Sequence, residues 1–282
     1  MTNKIKQIIK KVIWLFKEKE MIPIPYAVNA DSLLDGKIAL ITGGSGGIGY
    51  AIAESFMKNG CSVILAGKSK EKLEKCCSDL QNVCTGRAKS IVIDVLDVKS
   101  IPERIEEAAC LFDAGYIDIL VNSAGVNVKH QFMETEESEY DNTMNINAKG
   151  TFFMCQAVAK HMIENQIKGH ILNVTSASAL RPAWTPYQMS KWALRGFTLG
   201  LADTLLPYGI IVNAIGPGPT ATPMLGRDNG DSIYHPNCPS KRYAVPSEIG
   251  ALATFMVSEY GNLIVGDTYY ITGGSGTISS HY

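Results

Sequence analysis

Ile38-Ala-Leu-Ile-Thr42 runs directly into Gly43-Gly-Ser-Gly-Gly-Ile-Gly49 and on into Tyr50-Ala-Ile-Ala-Glu-Ser-Phe56. A short apolar run ended by glycines reads as a buried strand, and the segment after Gly49 reads as a helix. The glycines allow a tight strand-to-helix turn and let the backbone approach a diphosphate closely. The helix start then presents free N–H groups to negative charge. A glycine-rich stretch alone also fits a flexible turn. Here it follows the first strand and opens a helix, which is the context a dinucleotide site requires.

Apolar runs and helical stretches alternate along the chain. The pattern predicts strands at Ile38–Thr42, Ser62–Ala66, Ser90–Asp94, Ile117–Asn122, His170–Ser176, Ile210–Ile215 and Thr268–Ile271. Helices are predicted near 48–59, 69–82, 98–114, 137–165, 188–206 and 247–258. Near-continuous Val/Ile/Leu strands separated by helices indicate a parallel sheet covered on both faces. Right-handed crossovers make this a doubly wound, Rossmann-like α/β fold of about seven strands, with ligands at the carboxyl ends of the strands. Thr272-Gly-Gly-Ser-Gly276 echoes the first glycine turn, but no helix has room to follow it, so it reads as a decoy turn.

The second strand ends in Ala66-Gly67-Lys68-Ser69. A cofactor without a 2′-phosphate usually meets an acid about twenty residues past the glycine loop. Gly67 supplies none and Lys68 offers a cation to a phosphate, which favours NADP over NAD. Against this, Lys68, Lys70 and Lys72 also fit a solvated helix start.

Tyr187-Gln-Met-Ser-Lys191 spaces a phenol and an ammonium at i and i+4, on one helical face. A cation beside a phenol favours the phenolate, so a lowered Tyr187 pKa, nearer the working range of an acid–base catalyst, is expected. A hydroxyl from Ser176 would hold a carbonyl or alcohol oxygen against the tyrosine. The spacing carries little weight alone and gains it from the elements around it.

The chain has 282 residues, 46% hydrophobic and 19% charged, enough apolar material for one large core. A net charge of −1 gives no reason to expect a nucleic-acid partner. The seven cysteines form no C-x-x-C and the five histidines are scattered, so no metal site is expected. Reduced, structural thiols fit a cytoplasmic protein. Residues 1–34 read as an arm and linker, and 35–282 as a single catalytic domain. In the arm, Ile5, Ile8, Ile9, Val12, Ile13 and Phe16 fall near one helical face, with lysines mostly elsewhere. Residues 1–20 therefore either cover a groove on this or a sister subunit, or lie on an anionic membrane surface. The apolar run Val12–Phe16 is too short to span a bilayer.

With these parts in order, the chain resembles the short-chain dehydrogenase/reductase family over about Leu34 to Thr277. The family's T-G-x-x-x-G-x-G is Thr42-Gly43 through Gly47-Ile48-Gly49. Its acid after the third strand is Asp94, followed by Val95. Its N-N-A-G is Asn122-Ser123-Ala124-Gly125, with serine at the second place. The helical asparagine is Asn147, the serine strand ends at Ser176, the Y-x-x-x-K is Tyr187 to Lys191, and the late P-G-x-x-x-T is Pro217-Gly218 to Thr222.

The resemblance implies an oxidoreductase that moves a hydride between a nicotinamide and a ketone or secondary alcohol. It implies Tyr187 as general acid or base, Lys191 on the nicotinamide ribose, Ser176 on the substrate oxygen, and Asn147 holding a water that relays protons from Lys191. Gly43, Ser45, Gly47, Ile48, Gly49, Lys68, Asp94, Val95, Asn122, Ala124, Gly125, Pro217, Gly218 and Thr222 would bind the cofactor together with Tyr187 and Lys191. It also implies a homodimer or homotetramer. Two departures stand out. The interval from Ser176 to Tyr187 is short and holds Pro182 and Pro186, which leaves Ser178 as a second candidate for the serine role. Gly46 occupies the place where NADP-dependent relatives often carry arginine. Substrate contacts are expected from Ala177–Thr185 and from Pro223–Arg242, a polar segment suited to a mobile lid. The other reading is a dinucleotide-binding sensor or scaffold without turnover, which would have no need of the tyrosine.

Overall fold

A computed structural model describes residues 32–84, 86–127, 130–227 and 231–278. Most of the N-terminal arm, including residues 1–20, lies outside them. Seven strands form one parallel sheet: β1 (Ile38–Thr42), β2 (Ser62–Gly67), β3 (Ala88–Val92), β4 (Ile119–Asn122), β5 (His170–Val174), β6 (Ile211–Pro217) and β7 (Thr268–Ile271). Their order across the sheet is β3-β2-β1-β4-β5-β6-β7. The order reverses at β1, which pairs in parallel with both β2 and β4. Crossovers on either side of β1 leave by opposite faces, and the crevice opens between them at the strands' carboxyl ends. Register places Thr42 beside both Ala66 and Asn122, so the functional ends are level.

Side chains along β1 alternate between two cores. Ile38 and Leu40 pack beneath α3 (Ile101–Ala109), α5 (Thr151–Glu164) and α6 (Pro186–Leu205). Ala39 and Ile41 pack beneath α1 (Gly47–Lys58), α2 (Lys70–Val83) and α7 (Pro246–Val257). Every β1 residue is buried, which is why the sequence shows an unbroken apolar run rather than an alternating one.

Several element ends move by one to five residues from the sequence expectation, and two departures have a plain physical reason. β3 ends at Val92 rather than Asp94 because Asp94 turns the chain, accepting a hydrogen bond from the Leu96 N–H at 3.0 Å. The single helix predicted over 137–165 is α4 (Glu137–Met144), a π-helical turn at Asn145–Gly150, and α5. Apolar periodicity does not register one inserted residue per turn. Gly150 closes the π turn where a side chain has no room: a Cβ there would sit 2.8 Å from the Val95 side chain.

Among the described residues no helix is long and apolar enough to cross a membrane. All seven cysteines are described, and each is a free thiol.

His170, at the start of β5, carries a pH dependence. Burial and the neighbouring Lys37 push its pKa down to about 4, against a hydrogen bond with Asn262 that raises it. Below about pH 6.5 the unfolded chain takes a proton that the folded chain refuses until about pH 4. The unfolded state then binds more protons, so stability falls as pH drops through that window, by up to about 3 kcal/mol. His170→Gln should flatten this part of the decline. Urea midpoints at pH 7 and pH 4.5 for both proteins test it, and equal acid losses in the two would refute it.

Candidate active site

The site is built from the carboxyl ends of six strands, β1 to β6. Thr42 closes β1, and its hydroxyl accepts the N–H groups of Ser123 and Ala124, both at 3.2 Å, tying the exit of β4 to the glycine turn. Gly43 has φ +66, and a Cβ there would lie 2.9 Å from the Ala124 backbone. Gly49 lets α1 begin directly over Gly43: a Cβ would stand 2.4 Å from the Gly43 carbonyl oxygen. Among the described residues no side chain caps the first turn of α1, and that turn carries no acid. Its uncapped N–H groups are available to an anion. Around Gly46 a Cβ would meet nothing within 4 Å among the described residues, so the turn leaves a cradle open above α1.

A groove of about 460 Å³ runs from this turn to the catalytic candidates. Gly43, Ser45, Gly47 and Ile48 line one end. Ala124, Gly125, Ser176, Tyr187, Lys191, Pro217, Gly218 and Thr222 line the rest. A second hollow of about 360 Å³ continues past Gly43, Ser45, Ala124 and Gly125 to Lys68, Asp94 and Val95. Two predicted residues with side chains, Asn122 and Asn147, line neither. Asn122 is buried behind the groove, where its amide donates to Asn173 Oδ1 at 3.0 Å and to Cys155 Sγ at 3.1 Å. Its side chain braces β4 against β5 and α5 rather than lying along the groove.

Tyr187 and Lys191 share a face because α6 starts at a fixed place. Thr185 and Gln188 form a capping box there, with Pro186 in the first turn. Lys191 is 6% exposed, its Nζ donating to the Val174 carbonyl at 2.9 Å and lying 5.6 Å from the Tyr187 ring centroid. Ser176 hydrogen-bonds the Tyr187 side chain and accepts the Ser178 N–H at 3.1 Å. Of the two serine candidates, Ser176 lines the groove with Tyr187, whereas Ser178 does not and donates its backbone N–H to Ser176.

Asn147 sits in the π turn, fully buried. Its Oδ1 accepts the Val126 N–H and its Nδ2 donates to the Val126 carbonyl, both at 2.9 Å. Nδ2 also donates to Ser190 Oγ at 3.0 Å, and Ser190 donates in turn to the Tyr187 carbonyl at 2.7 Å. Gly125 lies between Asn147 and Lys191: a Cβ there would be 3.2 Å from Asn147 Oδ1 and 3.7 Å from Lys191 Nζ. Ser190 is a site residue that sequence reasoning passed over although it lies inside the Tyr187–Lys191 motif. Met224 and Leu225, from the Pro223–Arg242 segment expected to meet substrate, also line the groove, as does Asn127, which nothing in the sequence set apart.

The expected lowering of the Tyr187 pKa is not what the protein shows. Burial raises it, and the hydrogen bond with Ser176 offsets that only in part. The same burial lowers Lys191 to about 8. Removing water penalises phenolate and ammonium alike, so both groups are pushed toward their neutral forms. The ammonium, held on the Val174 carbonyl, does not reverse the effect on the phenol.

A parallel, doubly wound sheet with a glycine turn at its switch point and a Ser–Tyr–Lys group at the far end of the same groove defines a Rossmann-type α/β protein. A family model described as short chain dehydrogenase matches residues 37–232. A 3-oxoacyl-[acyl-carrier-protein] reductase of Aquifex aeolicus is 32% identical over 245 residues, covering 86% of this chain and 98% of that protein. A D-threitol dehydrogenase of Mycolicibacterium smegmatis is 35% identical over 254 residues, covering 88% and 96%. The crystal structure of L-sorbose reductase from Gluconobacter frateurii, complexed with NADPH and L-sorbose, superposes with a TM-score of 0.79 at 29% identity, over 88% of this chain and all of that one. The chain belongs to the short-chain dehydrogenase/reductase family of NAD(P)-dependent oxidoreductases.

Proposed function

We propose that the protein interconverts a ketone and a secondary alcohol using NADP, with Tyr187 giving the proton in reduction and taking it in oxidation. The observation that carries this is the convergence of Ser176, Tyr187 and Lys191 on one groove with the glycine turn. When bound, the nicotinamide supplies or accepts the hydride. Ser176 holds the substrate oxygen against the Tyr187 hydroxyl, to which it is already hydrogen-bonded. Because burial keeps the phenol protonated, Tyr187 stands ready as a proton donor. Lys191, fixed on Val174, bonds the ribose hydroxyls, and Asn147 holds the relay water beside it.

The open glycine cradle and the uncapped start of α1 fit a diphosphate. For the 2′-phosphate, the second hollow offers Lys68 and Lys72 together with Ser45 and Ser69. The L-sorbose reductase is described as complexed with NADPH, in keeping with this choice. Lys68 is drawn partly toward Asp94, with Nζ 4.0 Å from Oδ2, an exposed pair of little strength that a phosphate would outcompete. Lys68→Ala should therefore weaken NADPH by about tenfold, the worth of one charge-assisted hydrogen bond, and leave NADH within about twofold. Fluorescence titration with both cofactors reads this directly, and equal losses for the two would remove Lys68 from the phosphate site.

A small-molecule carbonyl or alcohol substrate, a cytoplasmic location and a homodimer or homotetramer accompany this reading. Exposed Phe152, packed on Phe153 and Phe197, lies on a surface of α5 and α6 that self-association would cover. The deciding experiment is titration with NADPH and NADH followed by a panel of ketones and alcohols. Protein that binds NADPH but turns over no member of the panel would be a sensor or scaffold instead.

A further inference from the structure

The echo at Thr272–Gly276 is not idle. Gly273, Gly274 and Gly276 all have positive φ, at +59, +85 and +97, and the turn they form touches three neighbouring parts of the fold. Toward the floor, Gly218 lies so close that a Cβ on it would be 2.7 Å from Thr272 Cα. Toward the segment after β6, the Gly273 carbonyl accepts the Ser240 N–H at 3.0 Å, and a Cβ on Gly274 would be 3.1 Å from Pro239. Those residues belong to a returning hairpin, Ile233–Tyr243, closed by Tyr243 N–H to Ile233 O at 2.7 Å and His235 N–H to Lys241 O at 3.0 Å.

Toward the catalytic wall, Arg181 Nη2 donates to Ser275 Oγ at 2.8 Å, and Ser275 is 7% exposed. Gly276 presses on the 3-10 turn Ala177–Leu180, with a Cβ position 3.4 Å from the Ala177 carbonyl oxygen. That turn begins at Ser176. Helix α6 grips the same loop from the other side, Arg195 donating to the Ala179 carbonyl at 3.0 Å and Trp192 to the Arg181 carbonyl at 2.8 Å. These two bonds set the loop against its own helix. The Arg181–Ser275 bond instead ties the loop to the Thr272–Gly276 turn, and through that turn to the hairpin.

We propose that Arg181 and Ser275 are a positioning pair. Through their bond, the Thr272–Gly276 turn holds the Ser176–Arg181 wall and the Ile233–Tyr243 hairpin as one body, which fixes how a carbonyl compound is presented to Ser176 and Tyr187. The inference rests on the oxidoreductase reading above. Neither Arg181 nor Ser275 lines the groove beside the glycine turn that would hold the diphosphate, so the expected loss falls on KM for the ketone rather than on cofactor affinity.

The test uses the full chain with Ser275→Ala, Arg181→Met, the double variant and the conservative Ser275→Thr. Ser275→Ala should raise KM for the ketone about tenfold, with NADPH Kd within about twofold of the parent. Amide exchange of both 177–181 and 233–243 should speed up together. Arg181→Met should reproduce both effects, the double variant should add little to either single one, and Ser275→Thr should restore the parent. Unchanged exchange in either segment would overturn the proposal. So would additive effects in the double variant, or a KM that stays put while exchange rises. If the parent binds NADPH yet turns over nothing, the oxidoreductase reading fails. The joint is then decided by exchange and its non-additivity alone.

Discussion

Tyr187→Phe is expected to lower kcat/KM for ketone reduction by about 10³-fold, near 4 kcal/mol of transition-state stabilisation, while NADPH Kd stays within about twofold. Phenylalanine keeps the ring, its packing and its contact with the Lys191 ammonium, and removes the one proton placed to reach a substrate oxygen. Ser176 remains oriented, since the Ser178 N–H still holds its Oγ. The pH profile sharpens the test. Tyr187 stays protonated to above its ordinary value of 10.0, so it sets no alkaline limb in the useful range. Lys191, lowered to about 8, loses its charge there, and kcat/KM for reduction should decline as pH rises through about 8. Residual turnover in Tyr187→Phe should keep that limb. Undiminished turnover, or a loss that appears wholly in cofactor affinity, would remove Tyr187 from the acid–base role.

That assignment of the limb to lysine was not readable from the sequence. Tyr187 and Lys191 were legible as neighbours because helical spacing is a local property, and Thr185, Pro186 and Gln188 fix where the helix begins. Their pKa directions depend on how much water β5, the π turn and α6 exclude together, which no local pattern contains. The contrast recurs elsewhere. The parallel, doubly wound sheet followed from near-continuous apolar runs separated by helices, because each crossover has one favoured hand. The π turn at Asn145–Gly150 did not, because an i→i+5 turn leaves the hydrophobic spacing almost unchanged. The motif places Asn122 along the groove, yet its side chain is a strut on Asn173, a partner far away in sequence. Thr272–Gly276 reads in sequence as an idle turn, because no helix follows it. Its contacts run to Gly218, Arg181 and Ser240, which only the fold brings together.

The deepest element of the reading, the glycine turn, gives the complementary prediction. Gly49→Ala should weaken NADPH and NADH alike by about 100-fold, close to 2.7 kcal/mol. The new Cβ would stand 2.4 Å from the Gly43 carbonyl oxygen and 2.9 Å from the carbonyl carbon, so backbone has to move. Gly43 cannot retreat, since its own Cβ position is 2.9 Å from the Ala124 backbone. The strain is therefore carried into the turn itself, in the range of about 1–3 kcal/mol usual for overpacking, and the α1 N–H groups lose their aim at the diphosphate. Gly46→Ala is the control. Its φ of 178 is extended backbone open to any residue, and its Cβ would meet nothing within 4 Å among the described residues. It should leave thermal stability at the parent value and both affinities within about threefold. Gly49→Ala thus loses binding by way of the fold, whereas Tyr187→Phe keeps binding and loses chemistry. A Gly49→Ala protein that melted with the parent and bound both cofactors at full strength would show that the turn is not a diphosphate cradle, and the placement of Tyr187 at the far end of a cofactor groove would lose its footing.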